Sequence, residues 1–529
     1  MYEPFDNRNW LAPHDTGRDV VSEQLTRRAV AITIAVLSGL GVGVLALLLA
    51  GPQGTGRFLP FLPLALIALF LAVRYFEGAI VAVLLMSWST VGSPAVAQGG
   101  SGGGEQRLFI VHIGLGLLLA IWLGRTLLAG RLEVYKTPVN APMVCYFVLS
   151  AWSTLNSMLL PNTQVLLSSP KQYWQVNLLE ILTRILAFGG VFLLANNLKG
   201  KYLKWAAWVL VIPGVVTFLN LVPFLPQARF IAFPHIWSMA ILAAFTIADK
   251  TKWWVRVLCG GLTLTIFGLY FLKNTEWVSG WGGATAALAV LLFNVRPKLF
   301  WAGAAAVVLL VAVNFQYFYD KAYKDNFYGN GSTQYAERKG HMGTFENDRA
   351  RMLRASFSYA AYFPLGIGLG NYRSYNKYFG RINVWNTTTF TSAHGTYAQT
   401  LTESGWPGFV AFMLILYASA RALKAYWQAL PPGWQKTYLS GTYAGVIGMF
   451  CASFNGDYLL PTYHNAGMIS FGACVYTWYM IGISMAIARE NGLDWDRLIG
   501  RTKTDRLIAP VYNRLDALPP VPNPGAENA

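Results

Sequence analysis

The sequence predicts an all-α, polytopic membrane protein with about fourteen transmembrane helices and one large extracytoplasmic loop that itself contains helices. Three observations predict it. The 529 residues are 54% hydrophobic and only 12% charged, against about 25% charged residues in soluble globular domains. Apolar stretches of roughly 17 to 23 residues recur from Ala29 to Ala488, each long enough to cross about 30 Å of hydrocarbon as a helix. The cationic residues between those stretches follow an alternating pattern.

In chain order, residues 1–28 are too polar, and too long before the first apolar run, for a cleaved signal peptide, and read as a cytoplasmic tail. The spans are expected near 29–51, 58–73, 78–97, 108–124, 141–159, 176–196, 205–222, 230–248, 254–272, 278–294, 299–316, 406–420, 438–456 and 465–488. Every second connection between them is then basic, from Arg74 through Arg125, Lys136, Lys199, Lys201, Lys204, Lys250, Lys252, Arg296 and Lys298 to Arg421, Lys424 and Lys436. That is the positive-inside pattern, and it places both termini in the cytoplasm. A single polytopic domain, residues 29–488, and a cytoplasmic tail, residues 489–529, follow. The net charge of +17 is thereby mostly topology, and no nucleic-acid partner is needed to explain it. Cys145, Cys259, Cys451 and Cys474 all fall in apolar runs without paired spacing, so they read as small buried hydrophobes.

One connection breaks the alternation. Residues 317–404, expected outside, carry ten Lys and Arg, among them Arg349, Arg351 and Arg354, against six acids. Long loops are exempt from the orientation rule, so this charge needs its own explanation. It is either a surface solvated or held against anionic headgroups, or a site for a phosphate-bearing substrate. Within the loop, TFENDRARMLRASFSYAAYFPLG reads as an interfacial helix capped by Asn347 or Asp348 and stopped by Pro364. Helical spacing sets Arg349, Leu353 and Ser356 on one face and Arg351 and Arg354 on another. The following PLGIGLGNY has no strand before it and leaves a helix where a dinucleotide loop would open one, so its glycines read as a bend.

This order of features resembles the O-antigen ligase and polymerase superfamily of lipid-linked glycan transferases. Arg349 opens the loop helix, Pro364 to Asn371 read Pro-x-Gly-x-Gly-x-Gly-Asn, one residue shorter than the family's Pro-x-x-Gly-x-Gly-x-Gly-Asn, and His394 is followed by Gly405 and Gly408 at the family spacing. The chain departs from the pattern at Gly395, where an amide or hydroxyl side chain is usual. The segment from Arg229 looks like the family's Gly-x-Phe-x-x-Pro-Asn span start, with His235 in place of Asn. Where the family often has Ser-Arg-Gly, this chain has Ser279, Gly280 and Trp281, leaving Lys273 or Arg229 to replace the charge. The resemblance covers roughly residues 225 to 475.

The resemblance implies glycosyl transfer from an undecaprenyl-diphosphate-linked oligosaccharide to a hydroxyl of a second glycan, outside the cytoplasmic membrane of a bacterium. It also implies dealings with other polysaccharide-assembly proteins, such as a chain-length regulator. The chemistry asks for a base on the attacking hydroxyl and for cations on the departing diphosphate. A histidine, with an ordinary pKa of about 6.5, suits the first role, and His394 is the candidate. A permanently charged arginine suits the second, with Arg349 first and Arg229, Arg351, Arg354 and Lys273 as weaker diphosphate or glycan contacts. No ligand spacing for a metal occurs among the six histidines, so no cofactor or metal is expected.

Asp457 and His464, in FNGDYLLPTYHNAG, could approach the same cavity or simply cap and solvate a short loop. Glu180 and Arg184 stand four apart within a span and can pair there. A polysaccharide polymerase is the leading expectation, a ligase acting on lipopolysaccharide core or protein the alternative. A flippase-type transporter is the rival from another class, disfavoured because no repeat in the first half matches the 317–404 loop.

Overall fold

The computed structural model describes residues 70–87, 110–128, 134–159, 173–219, 233–273, 278–316, 348–372, 374–375, 393, 395–461, 470–496 and 498. Within them the regular elements are helical, with no strand. In chain order they are α1 (Phe76–Met86), α2 (Ile110–Leu128), α3 (Asn140–Leu159), α4 (Tyr173–Asn197), α5 (Gly200–Val209), α6 (Ile212–Leu219) and α7 (Pro234–Ile247). There follow α8 (Trp253–Lys273), α9 (Val278–Val295), α10 (Pro297–Val313), α11 (Asp348–Tyr362), α12 (Thr396–Ala429), α13 (Trp434–Ala452) and α14 (Ser470–Glu490).

Among the described residues, three helices are long and apolar enough to cross a membrane alone: Val111–Leu128, Asn177–Asn197 and Thr396–Ala429. Five more, including Pro234–Ile247 and Ser279–Val295, are apolar but shorter. The helical membrane class therefore holds, while the figure of about fourteen spans is an expectation of hydropathy alone. Polar residues account for part of the difference: Ser150, Ser153, Thr154 and Ser157 form a buried stripe along α3 and dilute its hydropathy. The tail 1–28 and the expected span 29–51 lie outside the described residues.

α7 is the hub. Pro234 occupies its first turn, where a missing N–H costs nothing, and Pro234 to Phe245 are buried on every side, as a helix apolar all round should be. α13 lies against it through Gly441, Gly445 and Gly448. A Cβ on Gly441 would sit 2.4 Å from Ile241 Cα, and one on Gly445 would sit 2.7 Å from Trp237 Cα. One on Gly448 would sit 2.5 Å from the Gly283 carbonyl of α9. Backbones come this close only through small residues, the usual route to dispersion contact between helices in lipid.

The outer faces are apolar instead of charged. Trp253, Val257 and Leu264 on α8, Trp301 and Val307 to Leu309 on α10, and Val410, Met413, Leu414 and Tyr417 on α12 are all exposed. Contiguous apolar surface of this kind suits lipid rather than water. α3 and α11 both pack on α12, the element that carries the site.

Candidate active site

α12 is two helices in one. It begins at Thr396, ten residues before the expected span start near 406, and breaks at Gly405, whose φ of 66° lies in the left-handed region. Pro407 follows the break and cannot donate to the preceding turn. A break beside hydrocarbon exposes backbone groups that must find partners. The glycine loop supplies them: Ile367 N donates to Thr402 O (3.1 Å), Gly368 N to Glu403 O (3.0 Å), and Trp406 N to Pro364 O (2.9 Å). α3 adds Ser153 Oγ, which donates to Glu403 O at 2.7 Å.

The three loop glycines, Gly366, Gly368 and Gly370, have φ values of 88°, 87° and 76°. Their amides are occupied. Gly366 N donates to Phe363 O, Leu369 N to Thr154 Oγ1 at 3.2 Å, and Gly370 N to Glu403 Oε1 at 3.0 Å. Asn371 Nδ2 closes the loop on Ser157 Oγ (2.7 Å) and Ile367 O (2.8 Å). PLGIGLGN is therefore an internal clamp across α3 and the broken helix, in keeping with its reading as a bend.

The clamp closes on a buried charge. Glu403 is 0% exposed; its Oε1 accepts from Gly370 N and Gln399 Nε2, and its Oε2 from Arg184 Nη2 at 3.0 Å. Arg184, 1% exposed, also donates to the Tyr146 hydroxyl of α3 and stands 4.0 Å from Glu180 Oε2. The expected Glu180–Arg184 pairing is thus present, but the nearer acid is Glu403. Desolvating such groups is tolerable only when attraction and hydrogen bonds offset it together, as the four elements do here.

The same network reaches the histidine segment. Gln399 Oε1 accepts from Ala393 N at 2.9 Å, and Gln399 N donates to Gly395 O at 2.9 Å. Thr396 N and Oγ1 both donate to Gly456 O at 3.1 Å. His394 itself lies outside the described residues, but the residues on both sides of it are fixed. At Gly395 a Cβ would stand 2.8 Å from Phe454 O. That close approach explains why glycine replaces the amide or hydroxyl residue of the family pattern; its φ of −165° is ordinary extended backbone.

Within the described residues α11 runs Asp348–Tyr362 and ends before Pro364, as its stop signal predicts. It buries Ala355, Ser356, Tyr359 and Ala360 and exposes Phe357 and Ala361. Arg349 shares register with Ser356, seven residues on, while Arg354 shares register with Phe357 and Ala361. The buried face joins a satellite core of Tyr359, Ile367, Tyr372, Tyr375, Ala393 and Ala398. Burial pushes the Tyr359 and Tyr372 hydroxyls well above the ordinary tyrosine range, and the Asp457 carboxylate adds to the effect on Tyr372.

Asp457 is accordingly near the site. It is half-buried, its carbonyl accepts from Cys474 Sγ at 3.2 Å, and its neighbour Gly456 holds Thr396. Arg229 and His464 lie outside the described residues, and Lys273 is placed only as the last residue of α8. The side chains of Arg349, Arg351 and Arg354 are likewise not described. His235 is buried in α7 with Nε2 3.2 Å from the Gly280 carbonyl, so the two upstream family echoes meet each other.

Sequence reasoning passed over Glu403, Gln399 and Tyr146. The available signals were an acid and an amide four apart just ahead of a span, and the stripe of hydroxyls at 150, 153, 154 and 157 on an otherwise apolar helix.

Fold and site together define a helical membrane protein whose central clamp holds a broken helix by a buried acid–arginine pair. A family model described as O-Antigen ligase matches residues 263–413, a stretch that contains α11, the glycine loop and His394. The matched stretch is similar to the O-antigen ligase domain, in line with the resemblance carried by the motif order in the sequence. A comparison with curated proteins finds no match. Among solved structures, a chain from a study of polymerization and crosslinking by a peptidoglycan synthase complex aligns at 16% identity, covering 68% of this chain and 99% of that one. Its TM-score of 0.39 is too low to support any inference.

Proposed function

We propose that this protein transfers a glycan from an undecaprenyl-diphosphate carrier to a sugar hydroxyl on the periplasmic face of the bacterial inner membrane, extending an envelope polysaccharide. His394 takes the proton of the acceptor hydroxyl; that oxygen forms the new bond to the anomeric carbon while the bond from that carbon to the diphosphate oxygen breaks. Arg349 stabilises the charge on the departing diphosphate. The observation that carries this reading is the pair of tethers on either side of His394, Ala393 N to Gln399 within the stretch matched by the family model and Thr396 to Gly456 O beyond its end. A general base is effective only when held in a productive geometry, and the network has the form of such a holder.

The reaction as proposed uses fixed cations, so turnover undiminished by EDTA is expected. The decisive experiment is transfer by purified His394→Ala protein with a lipid-linked donor. Transfer should collapse while donor binding persists; retained turnover would remove His394 from the chemistry. A ligase reading is favoured by the description of the matched family. Glycans from cells lacking the protein separate the two: single repeats on the carrier indicate a polymerase, long unattached chains a ligase.

A further inference from the structure

At the far end of α4 from the buried pair lies a cavity of about 1150 Å³, bounded by the ends of α1, α2, α4, α5 and α14. Arg184 and Asn197 are thirteen residues apart on one helix (197 minus 184), so the cavity lies about 20 Å along α4 from the buried Arg184–Glu403 pair. Five cations line it: Arg74, Arg125, Lys199, Lys201 and Arg489. Two acids share the lining, and both are engaged. Glu77 Oε1 stands 3.8 Å from Lys199 Nζ, and Glu490 accepts from Gly200 N at 2.7 Å and Gln435 Nε2 at 3.2 Å.

Helix capping explains part of this charge. Arg489 donates to Leu198 O at 2.6 Å and Arg125 to Val73 O, both satisfying carbonyls at helix ends. The positive-inside pattern accounts for the side on which Arg74, Lys199 and Lys201 stand, and Glu77 offsets Lys199, but neither accounts for all three lining one shared space. The depth of the cavity is marked by aromatic residues: Tyr75 is 59% and Trp205 53% exposed, and Lys201 Nζ lies 5.3 Å from the Tyr202 ring and 5.8 Å from the Trp205 ring. Exposed Tyr and Trp beside Lys mark the headgroup level of a bilayer. Basic pockets between helix ends at that level are suited to lipid phosphates.

We propose that this cavity binds the phosphate of an anionic lipid headgroup, away from the glycan-transfer site. The test uses the full chain in nanodiscs of phosphatidylcholine with and without phosphatidylglycerol, with co-purified lipid and melting temperature as readouts. A triple variant, Arg74→Gln with Lys199→Gln and Lys201→Gln, is compared with Lys250→Gln, Lys252→Gln and Lys298→Gln, which removes the same charge from exposed positions elsewhere. Phosphatidylglycerol retention should fall about tenfold in the cavity variant, hold in the control, and weaken with salt. Inorganic pyrophosphate forms a second arm: protection by it alone, lost in the cavity variant, would support the phosphate site with a soluble source. Equal loss in both variants, or binding of neither probe by the wild type, would overturn the proposal. Transfer activity is not a readout, so the result is independent of His394.

Discussion

Glu403 and Arg184 are 219 residues apart in the chain and 3.0 Å apart in the fold. The contact joins the helix that follows His394 to a helix far upstream, and both partners are wholly removed from solvent. Removing one member of such a pair strands the other, at a cost of about 3 to 5 kcal/mol. Arg184→Met should therefore lower the melting temperature sharply, and Arg184→Met with Glu403→Gln should recover part of that loss. Additive losses in this double-mutant cycle would show that the pair is not coupled.

Gln399 ties Ala393 N to the carboxylate of Glu403. Gln399→Leu keeps the volume and removes both bonds. A displacement of about 1 Å at a reacting group can cost about 100-fold in rate, so kcat should fall by up to that factor while donor KM changes little. A KM change alone would assign Gln399 to binding instead.

Gly395→Ser restores a residue type common in the family but places a Cβ 2.8 Å from Phe454 O. The clash should cost about 1 to 3 kcal/mol, read as a lowered melting temperature. An unchanged or raised stability would mean that the Phe454 segment yields freely.

Gly405 is the hinge of the break. A Cβ there would meet Pro364 O at 2.2 Å and Gly366 N at 2.5 Å, at a φ of 66°. Gly405→Ala should prevent accumulation of folded protein or abolish the clamp, detectable as protease sensitivity of the 364–371 loop. Gly303→Ala, on an open stretch of α10, is the control and should be neutral or stabilising by up to about 1 kcal/mol.

Register separates the loop arginines. Arg349→Ala should reduce transfer by about 100-fold, the scale for losing one transition-state donor, whereas Arg354→Ala, in register with exposed Phe357, should change it little. Equal losses would assign the effect to the overall charge of the loop.

Several of these features were legible in the sequence because their causes are local. The stop of α11 and the helical membrane class follow from spacing and hydropathy. The turns of α12 ahead of the break at Gly405 are not legible as helix, because Thr400, Glu403 and Ser404 look like loop in a hydropathy window, yet they are buried polar residues of a helix. Gly395 has a steric reason that no local sequence shows, the approach of Phe454 O.

By itself the sequence determined that this is a helical membrane protein with one long, strongly basic loop, since hydrocarbon imposes apolar length and a charge-poor composition. Only the tertiary structure decided that the loop glycines clamp a broken helix and that Arg184 answers Glu403. Those partners lie hundreds of residues apart, and helix packing, which has no local signature, brings them together.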